Sequence, residues 1–166
     1  MKALFIGRFQ PFHKGHLQII IHACSDYEKV IIGIGSSQYN NTLDNPFSSD
    51  ERHRMIEETL NLLKVKNYEI SLIPDIHNFP KWVVHVASMV SDFDVVLSNS
   101  TLTKNLFEEQ GIKVVDTPIF DRRNYSGKEI RKRIINNENW EELVPDPVVK
   151  IVKEIDGVNR LKKLKK

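Results

Sequence analysis

Gly7-Arg8-Phe9-Gln10-Pro11-Phe12-His13-Lys14-Gly15-His16 is the stretch whose residue types and spacing could do chemistry. His13 and His16 are three residues apart, so on a first helical turn both rings face one side. Gly7 and Gly15 let a ligand approach the backbone closely, and Arg8 adds a fixed charge with several donors. A helix beginning near residue 14 would aim free N–H groups and its positive dipole end at an anion. The chemistry this predicts is phosphate binding with two imidazoles held against the phosphate. The stretch is neither G-x-G-x-x-G nor a P-loop, and Gly127-Lys128 runs into Glu129 and fails the P-loop pattern too. A histidine pair alone reads as surface or capping chemistry. Two histidines, an arginine and two glycines at one junction favour the functional reading. His22, His53, His77 and His85 have no such setting and are read as structural or exposed.

Such a junction needs a strand ending before it and a helix starting after it. Short β-branched runs at Ala3–Gly7, Val30–Gly35, Tyr68–Ile73, Val95–Ser98 and Lys113–Asp116 predict five strands. Leu17, Ile20, Ile21 and Cys24 recur at helical spacing, which predicts a helix over 14–26 with Cys24 in the core. Met55, Ile56, Thr59, Leu60 and Leu63 repeat that stripe, as do Val83, Val86, Ala87 and Val90. Leu102–Glu109 predicts a fourth helix. Ser126 and Glu129 read as a capping box opening a fifth through Ile135. Pro147 starts a last one through Ile155, with Gly157 as its stop. Strands alternating with helices predict an α/β, Rossmann-like doubly wound parallel sheet of about five strands with helices on both faces. Ligands bind such sheets beyond the carboxyl ends of the strands.

Size and charge narrow the function classes. The 166 residues, 40% hydrophobic, with 24 basic and 22 acidic side chains, predict one globular domain over residues 1–159 and a solvated basic tail over 160–166. Arg160, Lys162, Lys163, Lys165 and Lys166 outweigh the net +2, so the remainder is net negative, which argues against a nucleic-acid partner. No apolar run approaches the ~20 residues of a membrane span. Met1-Lys2-Ala3-Leu4 leads into a strand pattern, not a signal peptide. One cysteine makes no internal disulfide or zinc cluster, which points to the cytoplasm.

His13-Lys14-Gly15-His16 matches the (H/T)-x-G-H signature of the nucleotidyltransferase superfamily, and Ser126-Gly127-Lys128-Glu129-Ile130-Arg131 resembles its second signature, of I-S-S-T-x-x-R type. The longer strings Gly-Arg-Phe-Gln-Pro-Phe-His-Lys-Gly-His and Tyr-Ser-Gly-x-Glu-Ile-Arg are similar to those of archaeal-type nicotinamide-nucleotide adenylyltransferases. Asn45-Pro46-Phe47, Glu51-Arg52, Asp75-Ile76 and Trp82-Val83 extend the resemblance along nearly the whole chain. It implies an enzyme of NAD biosynthesis joining ATP and nicotinamide mononucleotide to give NAD and pyrophosphate. Mg²⁺ would arrive on the ATP phosphates, with no metal-ligating side chains of its own, and the chain would form a homo-oligomer. The resemblance assigns catalysis to His13, His16 and Arg131. It assigns ATP binding to Gly7, Arg8, Phe9, Gly15, Ser98, Arg122, Tyr125 and Ser126, with Arg123 a weaker candidate. It assigns the mononucleotide to Asp75, Ile76, Trp82 and Val83. Trp82 would stack on the nicotinamide, a sound cation–π arrangement; the alternative is a core tryptophan at the start of an apolar helix. The chain departs from the family pattern at Phe79, where asparagine is common (Asn78 precedes it), at Asn99 in Ser98-Asn99-Ser100, and at Asn40-Asn41. A sibling adenylyltransferase acting on phosphopantetheine and a non-catalytic nucleotide-binding regulator are the competing functions. Trp82 and the Gly-Arg-Phe-Gln-Pro-Phe string argue against the first. The intact His13, His16 and Arg131 argue against the second, since a sensor needs affinity but not transition-state contacts.

Overall fold

Side chains that branch at Cβ are stiff on a helix and pack well on a pleated surface, so the valine- and isoleucine-rich runs become strands. The computed structural model describes all 166 residues. In it β1 (Lys2–Gly7), β2 (Lys29–Gly35), β3 (Tyr68–Ile73), β4 (Val95–Leu97) and β5 (Lys113–Val115) form one all-parallel sheet in the order β3-β2-β1-β4-β5. The helices are α1 (Lys14–Asp26), α2 (Ser49–Leu62), α3 (Phe79–Met89), α4 (Thr101–Glu109), α5 (Gly127–Ile135), α6 (Asp146–Glu154) and α7 (Gly157–Lys165), with a 3₁₀ turn at Glu141–Leu143. This is the α/β, Rossmann-like fold that the sequence predicts. No helix is long and apolar enough to cross a membrane.

Packing divides the chain into two compact units. The first, Met1–Gly7, Ile19–Ser37 and Asn67–Pro118, holds the whole sheet with α3 and α4. Pairing places Ile31, Leu4, Val96 and Val114 in one row across four strands. That row packs with Val83 and Val86 of α3 and Phe107 of α4. The side chains pointing the other way, Ala3, Phe5, Val30, Ile32, Val95 and Leu97, are buried as well. Apolar side chains on both faces are what a covered parallel sheet requires. The strand order reverses between β1 and β4, the place where such sheets bind ligands.

The second unit, Arg8–Gln18, Gln38–Lys66 and Ile119–Lys166, holds α2, α5, α6 and α7. Its clearest helix start is a full capping box: Ser48 Oγ accepts from the Glu51 N–H at 3.2 Å, and Glu51 Oε1 accepts from the Ser48 N–H at 2.8 Å.

Five expectations are corrected. Ser126 caps α5 by accepting from the Glu129 N–H, but the reciprocal half of the box is replaced. The Ser126 N–H donates to the Asn124 carbonyl, and Glu129 Oε1 accepts from Arg133 Nε at 3.1 Å. Cys24 is half-buried and Ile21 is 42% exposed, because the packed face of α1 runs through Ile20 and Ala23. Leu63 is exposed because α2 ends before it. Gly157, expected to stop the last helix, opens another: Asp156 turns left-handed at φ 56°, ends α6 and redirects the chain into α7. Lys163, Lys165 and Lys166 are exposed there, but Leu161 is fully buried and Arg160 is hydrogen-bonded.

Leu161→Ala should therefore cost about 2–4 kcal/mol of stability, as core leucine truncations do. Chemical denaturation measures it, and a midpoint equal to the parent's would return residues 160–166 to a solvated tail.

Candidate active site

Arg8 follows β1 directly, and the loop from Arg8 to Phe12 leads into α1. Much of this loop is buried. Phe9, Gln10, Phe12 and His13 are all 5% exposed or less. A buried loop must still satisfy its backbone groups, and side chains from elsewhere in the second unit do so. The Arg8 carbonyl accepts from Arg52 Nη1 at 3.0 Å and the Gln10 carbonyl from Arg131 Nη1 at 2.8 Å. The Gln10 amide pairs both ways with the Phe47 backbone: its Nε2 donates to the carbonyl and its Oε1 accepts from the N–H, each at 2.9 Å. Phe9 holds a left-handed φ of 55°, a conformation that strains a residue with a Cβ and persists only where the surroundings impose it.

The two histidines are bound to each other. The His13 N–H donates to His16 Nδ1 at 3.2 Å, and the His16 N–H donates to His13 Nδ1 at 3.3 Å. Their rings stack with centroids 3.5 Å apart and planes within 19°. Phe9 meets the His16 ring edge-on at 4.7 Å, and Phe12 stacks on it at 5.9 Å. With Nδ1 accepting, each neutral ring carries its proton on Nε2. Burial pushes His13 down to about 4, and burial with His13 alongside pushes His16 well below its ordinary value. Both rings are therefore neutral donors at neutral pH. Gly15 makes the arrangement possible, since a Cβ there would lie 2.9 Å from His13 Cε1 and 2.9 Å from Tyr125 Cβ. Tyr125 stacks loosely on His13 at 6.5 Å.

Positive charge collects around this pair. Arg131, 7% exposed on α5, is shifted down by burial and then by Arg8. Arg52 is fully buried, and burial, with the Arg8 charge, brings it down to about 10. Asp44, 82% exposed, is 3.9 Å from Arg131 Nη2. Partially desolvated cations with neutral N–H donors beside them favour a polyanion over solvent. No cluster of three or more His, Cys, Asp or Glu side chains could hold a metal ion.

Of the sequence-predicted residues, the second unit thus brings together Arg8, Phe9, His13, Gly15, His16, Tyr125, Ser126 and Arg131. Arg122 and Arg123 stand exposed on the loop before α5. The other predicted residues belong to the first unit. Gly7 ends β1 and Ser98 follows β4, where Ser98 Oγ accepts from the Ser100 N–H. Asp75 and Ile76 follow β3, with Asp75 Oδ1 accepting from the His77 N–H at 2.8 Å. Trp82 is half-buried with its ring edge-on to Phe107 at 5.4 Å, and Val83 is buried in the core. The departures have structural uses. Asn78 caps α3, leaving Phe79 61% exposed. Asn99 ties the end of β4 to that of β5 through three bonds with Thr117. Sequence reading passed over Gln10 and Arg52 as members of the site. Both sit in strings that carry the family resemblance, Gly-Arg-Phe-Gln-Pro-Phe and Glu51-Arg52, and that was the signal that could have found them.

A family model described as cytidylyltransferase-like matches residues 4–133. A Thermoplasma acidophilum protein named nicotinamide-nucleotide adenylyltransferase is 44% identical over 163 residues, covering 98% of this chain and 91% of its own length. A Methanococcus aeolicus protein of the same name is 48% identical over 166 residues, covering 99% and 95%. Among solved structures, a bifunctional NMN adenylyltransferase/ADP ribose pyrophosphatase from Francisella tularensis, complexed with AMP and a manganese ion, aligns with a TM-score of 0.78 at 26% identity. That match covers 98% of this chain, which spans about half (52%) of the Francisella protein.

The histidine pair gives stability a pH dependence. His13 titrates at about 4 when folded against an ordinary 6.5, so on acidification the unfolded chain takes up the proton first. The stability from burying the neutral ring is complete above pH 6.5 and is lost as pH falls toward 4. Denaturation midpoints from pH 7.5 to 5 should fall in the parent and fall less in His13→Asn, whose amide oxygen can replace Nδ1 as acceptor. Equal slopes in the two proteins would remove His13 as the cause.

Proposed function

Because the chain belongs to the cytidylyltransferase-like family of nucleotidyltransferases, we propose that it is a nicotinamide-nucleotide adenylyltransferase. It joins ATP and nicotinamide mononucleotide to make NAD and pyrophosphate. The nucleotidyltransferase domain takes in α7 as well as residues 1–159, and the enzyme works in the cytoplasm as a homo-oligomer with no nucleic-acid or membrane partner. The observation that carries the reading is the pair of neutral, mutually bonded histidines beside buried arginines at the β1–α1 junction. The name shared by relatives 42–48% identical supports the acceptor.

The mononucleotide 5′-phosphate is already ionised, so attack needs no general base. Its oxygen forms a bond to the ATP α-phosphorus as the bond to the bridging oxygen breaks, and pyrophosphate leaves. The protein's contribution is alignment and stabilisation of charge developing on the phosphates. In this reading Arg8 and Arg131 hold the phosphates, and the Nε2–H groups of His13 and His16 donate where charge builds up. Tyr125, Ser126 and Arg122 flank the nucleotide, as do Gly7, Phe9, Gly15 and Ser98. Mg²⁺ enters on ATP as part of the substrate. Asp75, Ile76, Trp82 and Val83 receive the mononucleotide.

Incubation with Mg-ATP and either nicotinamide mononucleotide or phosphopantetheine, followed by product identification, tests the activity; NAD and pyrophosphate are expected. His16→Ala should lower kcat by roughly 10²-fold with a modest change in ATP affinity, as loss of a transition-state donor does. An unchanged kcat would take His16 out of catalysis. An adenylylated protein trapped without acceptor would overturn direct transfer.

Trp82 tests the acceptor side separately. Trp82→Phe keeps an aromatic ring against Phe107 but weakens attraction to a pyridinium. Trp82→Ala removes a stack contributing about 0.5–2 kcal/mol, roughly 2- to 30-fold in affinity. Acceptor KM should rise in that order while ATP KM stays nearly constant. A folded Trp82→Ala with the parent's mononucleotide affinity would leave Trp82 a packing residue only.

A further inference from the structure

The segment Asn45-Pro46-Phe47-Ser48 touches the phosphate loop at several points. Asn45 Oδ1 accepts from Arg8 Nη1 at 3.4 Å, the Phe47 backbone pairs with Gln10, and the Ser48 carbonyl accepts from Arg52 Nε at 3.2 Å while Arg52 also holds the Arg8 carbonyl. Whatever fixes this segment therefore fixes Arg8 and Gln10. Its other side is held by α7. Arg160 Nη1 donates to Glu51 Oε1 at 2.7 Å and to the Pro46 carbonyl at 3.0 Å, and its Nη2 donates to Glu51 Oε2 at 2.9 Å. Gly157, at the start of α7, lies against Phe47, where an added Cβ would come within 3.2 Å of the ring.

We propose that Arg160 is a positioning residue for the nucleotidyl-transfer site: through Glu51 and Pro46 it locks the 45–48 turn and thereby holds Arg8 and Gln10 in place for the ATP phosphates. The proposal rests on the ATP reading above. It gives the C-terminal helix a part in activity although none of its residues is assigned to a substrate. The pair is bidentate and mostly shielded, with 23% and 17% of the two side chains exposed, so it is held more firmly than a surface ion pair. A guanidinium is required because it alone spans both carboxylate oxygens and the Pro46 carbonyl in one plane.

Arg160→Gln, Arg160→Lys and the control Lys163→Gln, which removes the same charge from an exposed site on α7, are compared with the parent. Small misplacements of a binding loop cost up to about 10²-fold in rate. Arg160→Gln should raise ATP KM about tenfold and lower kcat severalfold, leave mononucleotide KM within about twofold, and remain folded at the assay temperature by circular dichroism. Arg160→Lys, which keeps a donor to Glu51 but not the fork, should fall between Gln and the parent. Lys163→Gln should match the parent. If Arg160→Gln does not fold, Arg160→Lys decides on the same split. A folded variant with parental ATP KM and kcat, or equal losses toward both substrates, overturns the proposal. Calorimetric titration of ATP without acceptor keeps the two readings separate. Weaker ATP binding in Arg160→Gln supports the positioning role even if the parent makes no NAD, and parental ATP binding sinks it even if NAD is made.

Discussion

A loop that dives under its neighbours must have its carbonyls met by something other than water, and this requirement organises the second unit around residues 8–12. Three long polar side chains do much of this work. Arg52, Arg131 and Gln10 reach the Arg8 carbonyl, the Gln10 carbonyl and both polar groups of Phe47. Removing any one leaves a buried backbone group unsatisfied, a cost of about 1–3 kcal/mol. The loop is rigid for the same reason that it can hold Phe9 at a left-handed φ.

That solution has an electrostatic consequence. Guanidinium groups that satisfy carbonyls bring full charges inward, and burial and then repulsion from Arg8 lower both Arg52 and Arg131. The same burial keeps His13 and His16 neutral, so the pair adds donors without adding repulsion. In the proposed reading an incoming polyphosphate would meet fixed cations and preformed N–H groups with little reorganisation of the protein, which is the condition under which electrostatic stabilisation is largest. The stacked rings, 3.5 Å apart, could not comfortably be charged together.

The C-terminal helix shows how one left-handed residue changes the meaning of a charge run. With Asp156 at φ 56°, the chain turns, Leu161 enters the core and Arg160 meets Glu51. Without that turn the segment would read as five solvated cations. Glu51 serves two partners at once, the capped Ser48 N–H and Arg160, so the start of α2 and the placement of α7 are one feature.

Strands and most helices were legible in the sequence because their signals are local: β-branched runs, helical stripes, the cap at Ser126 and the first-turn proline Pro147 all lie within a few residues of what they control. His13, Gly15 and His16 were legible for the same reason, since a three-residue spacing on one turn brings the two rings together without help from the rest of the chain. The remainder depended on partners far away in sequence. Gln10 meets Phe47 37 positions on, Arg52 meets the Arg8 carbonyl 44 away, and Arg131 and Arg160 reach across 121 and 109 positions. No periodicity links such pairs. Cys24 and Leu63 followed the right spacing, yet the packed face of α1 and the end of α2 decided their exposure. The sequence by itself determined the fold class and the histidine pair, because local sterics and hydrogen-bond geometry suffice for both. Only the tertiary structure decided which polar side chains would be buried and which carbonyls they would serve, because that choice is made where distant segments come together and exclude water.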